Sequence, residues 1–273
     1  MAELYGRGVY RFLLSRQWVI LTLLALVLIP VMIELGFWQF HRHESRVARN
    51  ERIATSIEAA PVPAEELTSP GHKVSERERY RQVTATGRYD TEHEVVVRRR
   101  TNADDRVGVH VVTPLVLGSG KVLLVNRGWI EANGPQNKVP PIPAPPRGEV
   151  NVTGRLMPDE TTSTSGIKDL KGLPDGMVML IGSAQMATTL GDPVLGGFVQ
   201  LASPAPANGT PELLPAPDSS GIGAHMAYAV QWWLFTAAVP VGWVILVRRE
   251  LRDQAAAKAA ATASADAPAT VPV

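Results

Sequence analysis

QWVILTLLALVLIPVMI, Gln17–Ile33, is a run of 17 residues without a charge, and LGFW (Leu35–Trp38) extends it beyond Glu34. At 1.5 Å of rise per residue, about 20 helical residues cross a hydrocarbon core of ~30 Å. A second run, MAYAVQWWLFTAAVPVGWVILV (Met226–Val247), has 22 uncharged residues and meets the same requirement. These two runs decide the fold class: a membrane protein with two transmembrane helices flanking a separate domain. A cleaved signal sequence is the competing reading of the first run, with Arg7, Arg11 and Arg16 as its basic region. The length of the run and the lack of a small-x-small pattern in ELGFWQFHR favour an anchor.

Arg248, Arg249 and Arg252 follow the second run, whereas Pro204–Ala227 contains no Lys or Arg. The positive-inside bias therefore puts the C-terminus in the cytoplasm, and two crossings return the N-terminus to the same side. The expected organisation is a cytoplasmic N-terminus (1–16), a first span (17–40), an extracytoplasmic β-rich domain (41–224), a second span (225–247) and a cytoplasmic tail (248–273), largely disordered apart from a helical continuation of the second span. This is a multi-pass protein of the cell (inner) membrane. The end of the first span and the start of the second then emerge at the same face.

Between the spans, YRQVTATGRY, HEVVVRRR, VGVHVVTPLVL, KVLLVNRGWI and EVNVTGRLM are valine-rich runs separated by turn residues. They predict a mainly antiparallel sheet in a small barrel, with sequence neighbours pairing across four strands. LGSGK (Leu117–Lys121) and Asn102–Asp105 read as turns. Met177–Leu190 reads as a strand followed by a short helix, and GGFVQLAS as a further strand. VPPIPAPPRG (Val139–Gly148) is too proline-rich for a central strand and reads as an extended loop. SPAPANGTPELLPAPDSSG reads as an extended return to the membrane.

The chain has no cysteine, which excludes disulfides and thiolate chemistry. A formal net charge of +1 gives no footprint for nucleic acid. RHESRVARNER (Arg42–Arg52) reads as a solvated helix after the first span, with membrane lipid head groups as an alternative contact. No nucleophile elbow, phosphate loop, HExxH pair or EF-hand loop occurs, and no acid–base pair emerges, so no enzyme activity is expected. His41 and His43, if helical, point about 200° apart and do not chelate one ion. His93 and His110 read as strand-surface imidazoles, and no metal site is expected.

His225, Tyr228, Trp232 and Phe235 stand at i, i+3, i+7 and i+10, on one stripe of the second span. Two readings stay open: an interfacial aromatic belt, or an aromatic face that begins with an imidazole ligand. Trp38, Gln39 and Arg42 end the first span and are the candidate companions of His225. Arg127 in VNRGWI reads either as a surface or partner contact or as a buttress of Trp129.

LGFWQFHR, VLLVNRGWI and HMAYAVQWW together resemble the surfeit locus protein family of cytochrome c oxidase assembly factors. The matching residues are Leu35, Gly36, Trp38, Gln39 and Arg42; Val125 to Trp129; and His225, Tyr228, Ala229 and Trp232. Where the family often has proline after Asn-Arg-Gly-Trp, this chain has IEANGP, and it has Gly-Ala where asparagine often precedes the histidine. The resemblance implies help in delivering haem a to subunit I of the haem-copper oxidase. It implies His225, Tyr228, Trp232, Trp38 and Arg42 as haem a contacts. Gln39, Arg127 and Trp129 would contact a partner, the oxidase or a respiratory supercomplex. The alternative is a scaffold or accessory subunit that docks on the oxidase through its two helices and holds no haem.

Overall fold

The computed structural model describes residues 10–132, 134 and 138–265. The chain forms two compact units, one of residues 1–48 and 221–273 and the other of residues 49–220.

In the first unit, helix α1 (Arg16–Glu58) pairs with the last helix, α5 (His225–Ala265). Both contain a stretch long and apolar enough to cross a membrane. The more protected residues of α1 recur as Trp18, Thr22, Ala25, Ile29, Met32, Gly36, Gln39 and His43. Those of α5 recur as His225, Ala229, the pair Trp232 and Trp233, Thr236, Val239, Trp243 and Val247. Steps alternating between three and four are the seam of two helices packed at a shallow angle. The pair is antiparallel: Gln39 meets His225 at one end, and the Trp243 indole donates to Thr22 Oγ1 (3.1 Å) towards the other.

Gly36 sets the closest approach in this seam. A Cβ built on it would lie 2.3 Å from Nε1 of Trp233, whose ring also packs against Phe37 and Phe40 at 5.9 and 6.1 Å. Small residues allow such approaches between apolar helices. Gly36→Val is therefore expected to expel the indole and loosen the pair by about 1–3 kcal/mol. A disulfide-trapping assay between cysteines introduced at Thr22 and Trp243 reads this as slower cross-linking.

α5 continues to Ala265, so the helical continuation of the second run extends over 248–265. DQAAAKAAATASA has few large apolar groups but is rich in alanine, the best helix former. The remainder of the tail and residues 1–9 lie outside the described residues.

Among the described residues the second unit has eight strands: β1 (Val62–Pro63), β2 (Gln82–Tyr89), β3 (Val95–Thr101), β4 (Val107–Leu117), β5 (Val122–Glu131), β6 (Glu149–Met157), β7 (Met177–Val178) and β8 (Phe198–Ser203). Their order is β1-β2-β6-β8-β5-β4-β3-β7, and a further β2–β4 pairing closes β2, β6, β8, β5 and β4 into a five-stranded barrel. Most pairings are antiparallel; β1–β2, β3–β7 and β5–β8 are parallel.

The four-strand meander of sequence neighbours is corrected: β2 does not pair with β3. β4 is long enough to serve both, with Val107–Val112 against β3 and Leu115–Leu117 against β2. Pro114 stands in the gap between the two pairings, where its missing N–H costs no ladder bond to either.

β5 is buried on both faces. Leu123 and Val125 point into the barrel with Leu115, Val152, Leu156 and Val199. Val122 and Leu124 point the other way, into a second core with Val97, Val112, Ile181 and Met186. Met186 belongs to the short helix α4 (Ser183–Leu190), which follows two single-turn helices, α2 (Ala64–Leu67) and α3 (Thr162–Ser165), and covers this outer face. Each fully buried side chain of this kind contributes about 1.5–3 kcal/mol.

The proline-rich segment after β8 is more than a return path. Glu212 exchanges two backbone hydrogen bonds with Trp129, both 2.8 Å, and Arg155 Nη2 donates to the carbonyls of Leu214 and Pro215. The segment thus extends the sheet edge beside β5, where β8 pairs only with Val125 and Asn126.

Candidate functional site

His225 is the first residue of α5, and its half-buried ring reaches the partner helix. Its Nδ1–H donates to Oε1 of Gln39 at 3.0 Å. That bond occupies Nδ1 and turns Nε2 away from Gln39, the arrangement that orients a ligating imidazole. Gly223, at φ +66°, lies beside it: a Cβ there would sit 3.5 Å from Nε2 and 3.4 Å from Cδ2. The missing side chain leaves open the edge of the ring that carries Nε2.

The stripe behind His225 does not face the partner helix as a whole. Tyr228 and Phe235 are about half exposed, and Phe235 meets Trp232 edge-on at 6.2 Å. The pairing contacts are made by the neighbouring Ala229, fully buried, and Trp233. On α1, the Arg42 guanidinium lies 5.2 Å over the ring of Trp38, which is itself half exposed. Sequence reasoning missed Trp233, whereas Gln39, named both as a companion of His225 and as a partner contact, does meet His225. The signal available was the spacing of small residues, Gly36 and Ala229, which marks the seam.

The VNRGW block lies inside the β unit. Arg127 is buried, and its guanidinium donates to Oε2 of Glu94 (2.8 Å) and to the carbonyl of Pro143 (2.7 Å) over the ring of Tyr89. The Thr113 hydroxyl also donates to Glu94. Burial pushes the Tyr89 phenol up to about 12. Trp129 is buried with its Nε1–H donated to the Arg100 carbonyl (3.3 Å), under the Arg106 guanidinium. Asn126 donates to His110 Nδ1 (3.2 Å) and accepts from the Gly128 amide (3.1 Å). In the isolated chain, then, Arg127 and Trp129 spend their polar groups on internal partners.

Two histidine expectations are corrected. His93 sits in the turn before β3 and pairs with Asp90 at 2.6 Å. His110 is on β4 but largely protected; burial, followed by repulsion from Arg100, lowers its pKa from 6.5 to about 3. Its neutral form stabilises the fold in full above the unfolded value. Between pH 6.5 and about 3 the unfolded chain binds the extra proton, so stability falls as pH falls. A slope of about 1 kcal/mol per pH unit is expected near pH 5–6. Urea titrations should show a weaker pH dependence in His110→Asn than in the parent.

Among the described residues no group of three or more His, Cys, Asp or Glu side chains is placed to hold a metal ion. The chemistry on offer at the helix pair is one imidazole nitrogen on a helix stripe of aromatic side chains.

The model of the SURF1 family matches residues 26–237, which takes in the LGFWQFHR, VNRGW and HMAYAVQWW blocks. The chain belongs to the SURF1 family. An uncharacterized SURF1-like protein of Mycobacterium bovis is 30% identical over 257 residues, 91% of this chain and 90% of its own length. One of Mycobacterium tuberculosis matches equally. A SURF1-like protein of Rickettsia felis is 29% identical over 144 residues, 51% of this chain and 58% of its own. The SURF1 match joins segments that are far apart in sequence: LGFWQFHR and HMAYAVQWW belong to the helix pair, and VNRGW to the barrel wall.

Proposed function

We propose that this chain assists assembly of a haem-copper cytochrome c oxidase, helping haem a reach subunit I at the membrane, and is not itself an enzyme. α1 and α5 cross the cell membrane, both termini are cytoplasmic and the β unit is extracytoplasmic. The observation that carries the reading is the Gln39–His225 hydrogen bond, which occupies Nδ1 and leaves His225 Nε2 turned away from Gln39 on a stripe of aromatic side chains. The residues fit such a group: Gly223 leaves the ring edge open, and Tyr228, Trp232 and Phe235 offer apolar faces. His225 would hold the iron and Arg42 would pair a propionate. Haem a, when bound, brings the redox-active iron that the oxidase needs. Gln39 positions the imidazole, and the aromatic face offers flat apolar surface to the macrocycle.

A scaffold that docks on the oxidase without haem is the second reading. The observation that favours it is the half-exposed set Phe37, Trp38, Tyr228 and Phe235, which would pack equally well against a partner helix. Purification of the chain from cells that make haem a separates the two. On the haem reading His225→Ala loses the bound haem spectrum, and Gln39→Ala weakens binding by about tenfold. Unchanged haem content in His225→Ala overturns the ligand role. Oxidase subunits that no longer co-purify with Tyr228→Ala/Phe235→Ala, with haem content intact, support the scaffold.

A further inference from the structure

β3 carries three consecutive arginines, Arg98 to Arg100, which the helix-pair function leaves unexplained. The third turns inward: Arg100 is buried and pairs with Glu160 at 2.6 Å. The other two fall in a β-bulge. Val97 pairs with His110 and Arg100 with Gly108, so Arg98 and Arg99 together oppose Val109 alone. A bulge of this kind interrupts the alternation of side chains and re-aims them. Arg99 adopts φ +57°, in the left-handed region that a long side chain rarely occupies. A strained backbone held by its surroundings is a pointer to function.

Both arginines line one recess of about 320 Å³, together with Lys138. Val109, Met177 and Pro140 supply an apolar wall, and no carboxylate lines it among the described residues. The size, concavity and mix of apolar wall with a few charged groups are those of a small-molecule site. Two larger recesses of the unit, about 600 and 380 Å³, are built differently: Arg127 beside the first is paired with Glu94, and Glu131 and Glu212 line the second with Arg106.

We propose that this recess binds a small anion with an apolar body, a phosphate monoester or a carboxylate. Guanidinium and ammonium groups bind the anionic head through charge-assisted hydrogen bonds, and the apolar wall takes the body. The site is independent of the helix pair.

Calorimetric titration of the full chain in zwitterionic nanodiscs tests this, with phenyl phosphate and benzoate as probes. Saturable binding of either supports the site, and the stronger of the two identifies the head group. Inorganic phosphate should bind about tenfold more weakly for want of the apolar body, and benzyl alcohol should not bind. Arg99→Gly removes the charge and relieves the left-handed backbone. It should keep or raise the melting temperature while affinity falls at least about tenfold, an outcome that a merely structural arginine would not give. Lys138→Gln should weaken binding similarly. No binding of either probe to the parent chain, or equal affinity in parent, Arg99→Gly and Lys138→Gln, overturns the proposal.

Discussion

Arg127→Ala is expected to destabilise the β unit by about 3–5 kcal/mol, because it strands the Glu94 carboxylate in a site that is nearly as buried as the arginine it has lost. The cost does not measure how much the ion pair contributes. It is the penalty of leaving one charge without its partner, together with the unfilled acceptor of the Pro143 carbonyl. The double variant Arg127→Met/Glu94→Leu removes both charges and keeps apolar volume, so it should recover most of the loss. Denaturant midpoints for the parent, the two single variants and the double variant close this cycle. A double variant as unstable as Arg127→Ala alone would show that the guanidinium acts through Pro143 and Tyr89 rather than through Glu94.

Gly128→Ala should cost on the order of 3 kcal/mol or more, for two reasons that add. Gly128 has φ +132°, where a residue with a Cβ is strained, and that Cβ would meet the Glu212 carbonyl oxygen at 2.3 Å. This oxygen accepts the Trp129 amide, so the substitution should pry the 211–213 segment from β5. Hydrogen exchange at the Trp129 and Glu212 amides is the readout: both should lose protection well before the barrel interior does. Protection unchanged from the parent would mean that the segment is held by Arg155 rather than by the Trp129–Glu212 bonds.

Local chemistry made much of this architecture readable from the amino acids. Long uncharged runs give two helices whatever lies between them, and valine-rich runs divided by Gly, Asn and Asp give strands and turns. The Leu117–Lys121 turn, the Met177–Leu190 strand and helix, and the final strand were legible on these grounds. Partner choice was less legible. Nothing in VGVHVVTPLVL says that one half pairs with β3 and the other with β2, although Pro114 marks the gap once the pairing is known. The proline-rich segment read as a return path because prolines forbid a regular ladder, yet one dipeptide, Glu212 with its neighbour, was enough to join the sheet.

At the candidate site, helical spacing identified His225 and its stripe, and topology named Gln39 among its companions. What spacing does not carry is which of two adjacent tryptophans packs inward; Trp233, rather than Trp232, lies against Gly36. For Arg127 and Trp129 the residue types suit a surface contact and an internal one equally. Burial decides only where each side chain stands in the isolated chain, and Glu94, one turn residue before a run of valines, gave no sign of being the counter-ion.

Gln39 and His225 are 186 residues apart in the chain. On the membrane-spanning reading, the first helix enters the bilayer with its seam empty and waits while everything between is made. At ribosomal speeds of 5–20 residues per second, that interval is on the order of 10–40 s. During it Gln39 has no imidazole to hold and Gly36 presents an open notch. The imidazole is set against Gln39 only when the last quarter of the protein arrives. Competence of the helix pair is therefore a late event in the life of each molecule, and a truncated chain that stops after the barrel would carry every strand and only the α1 half of the site.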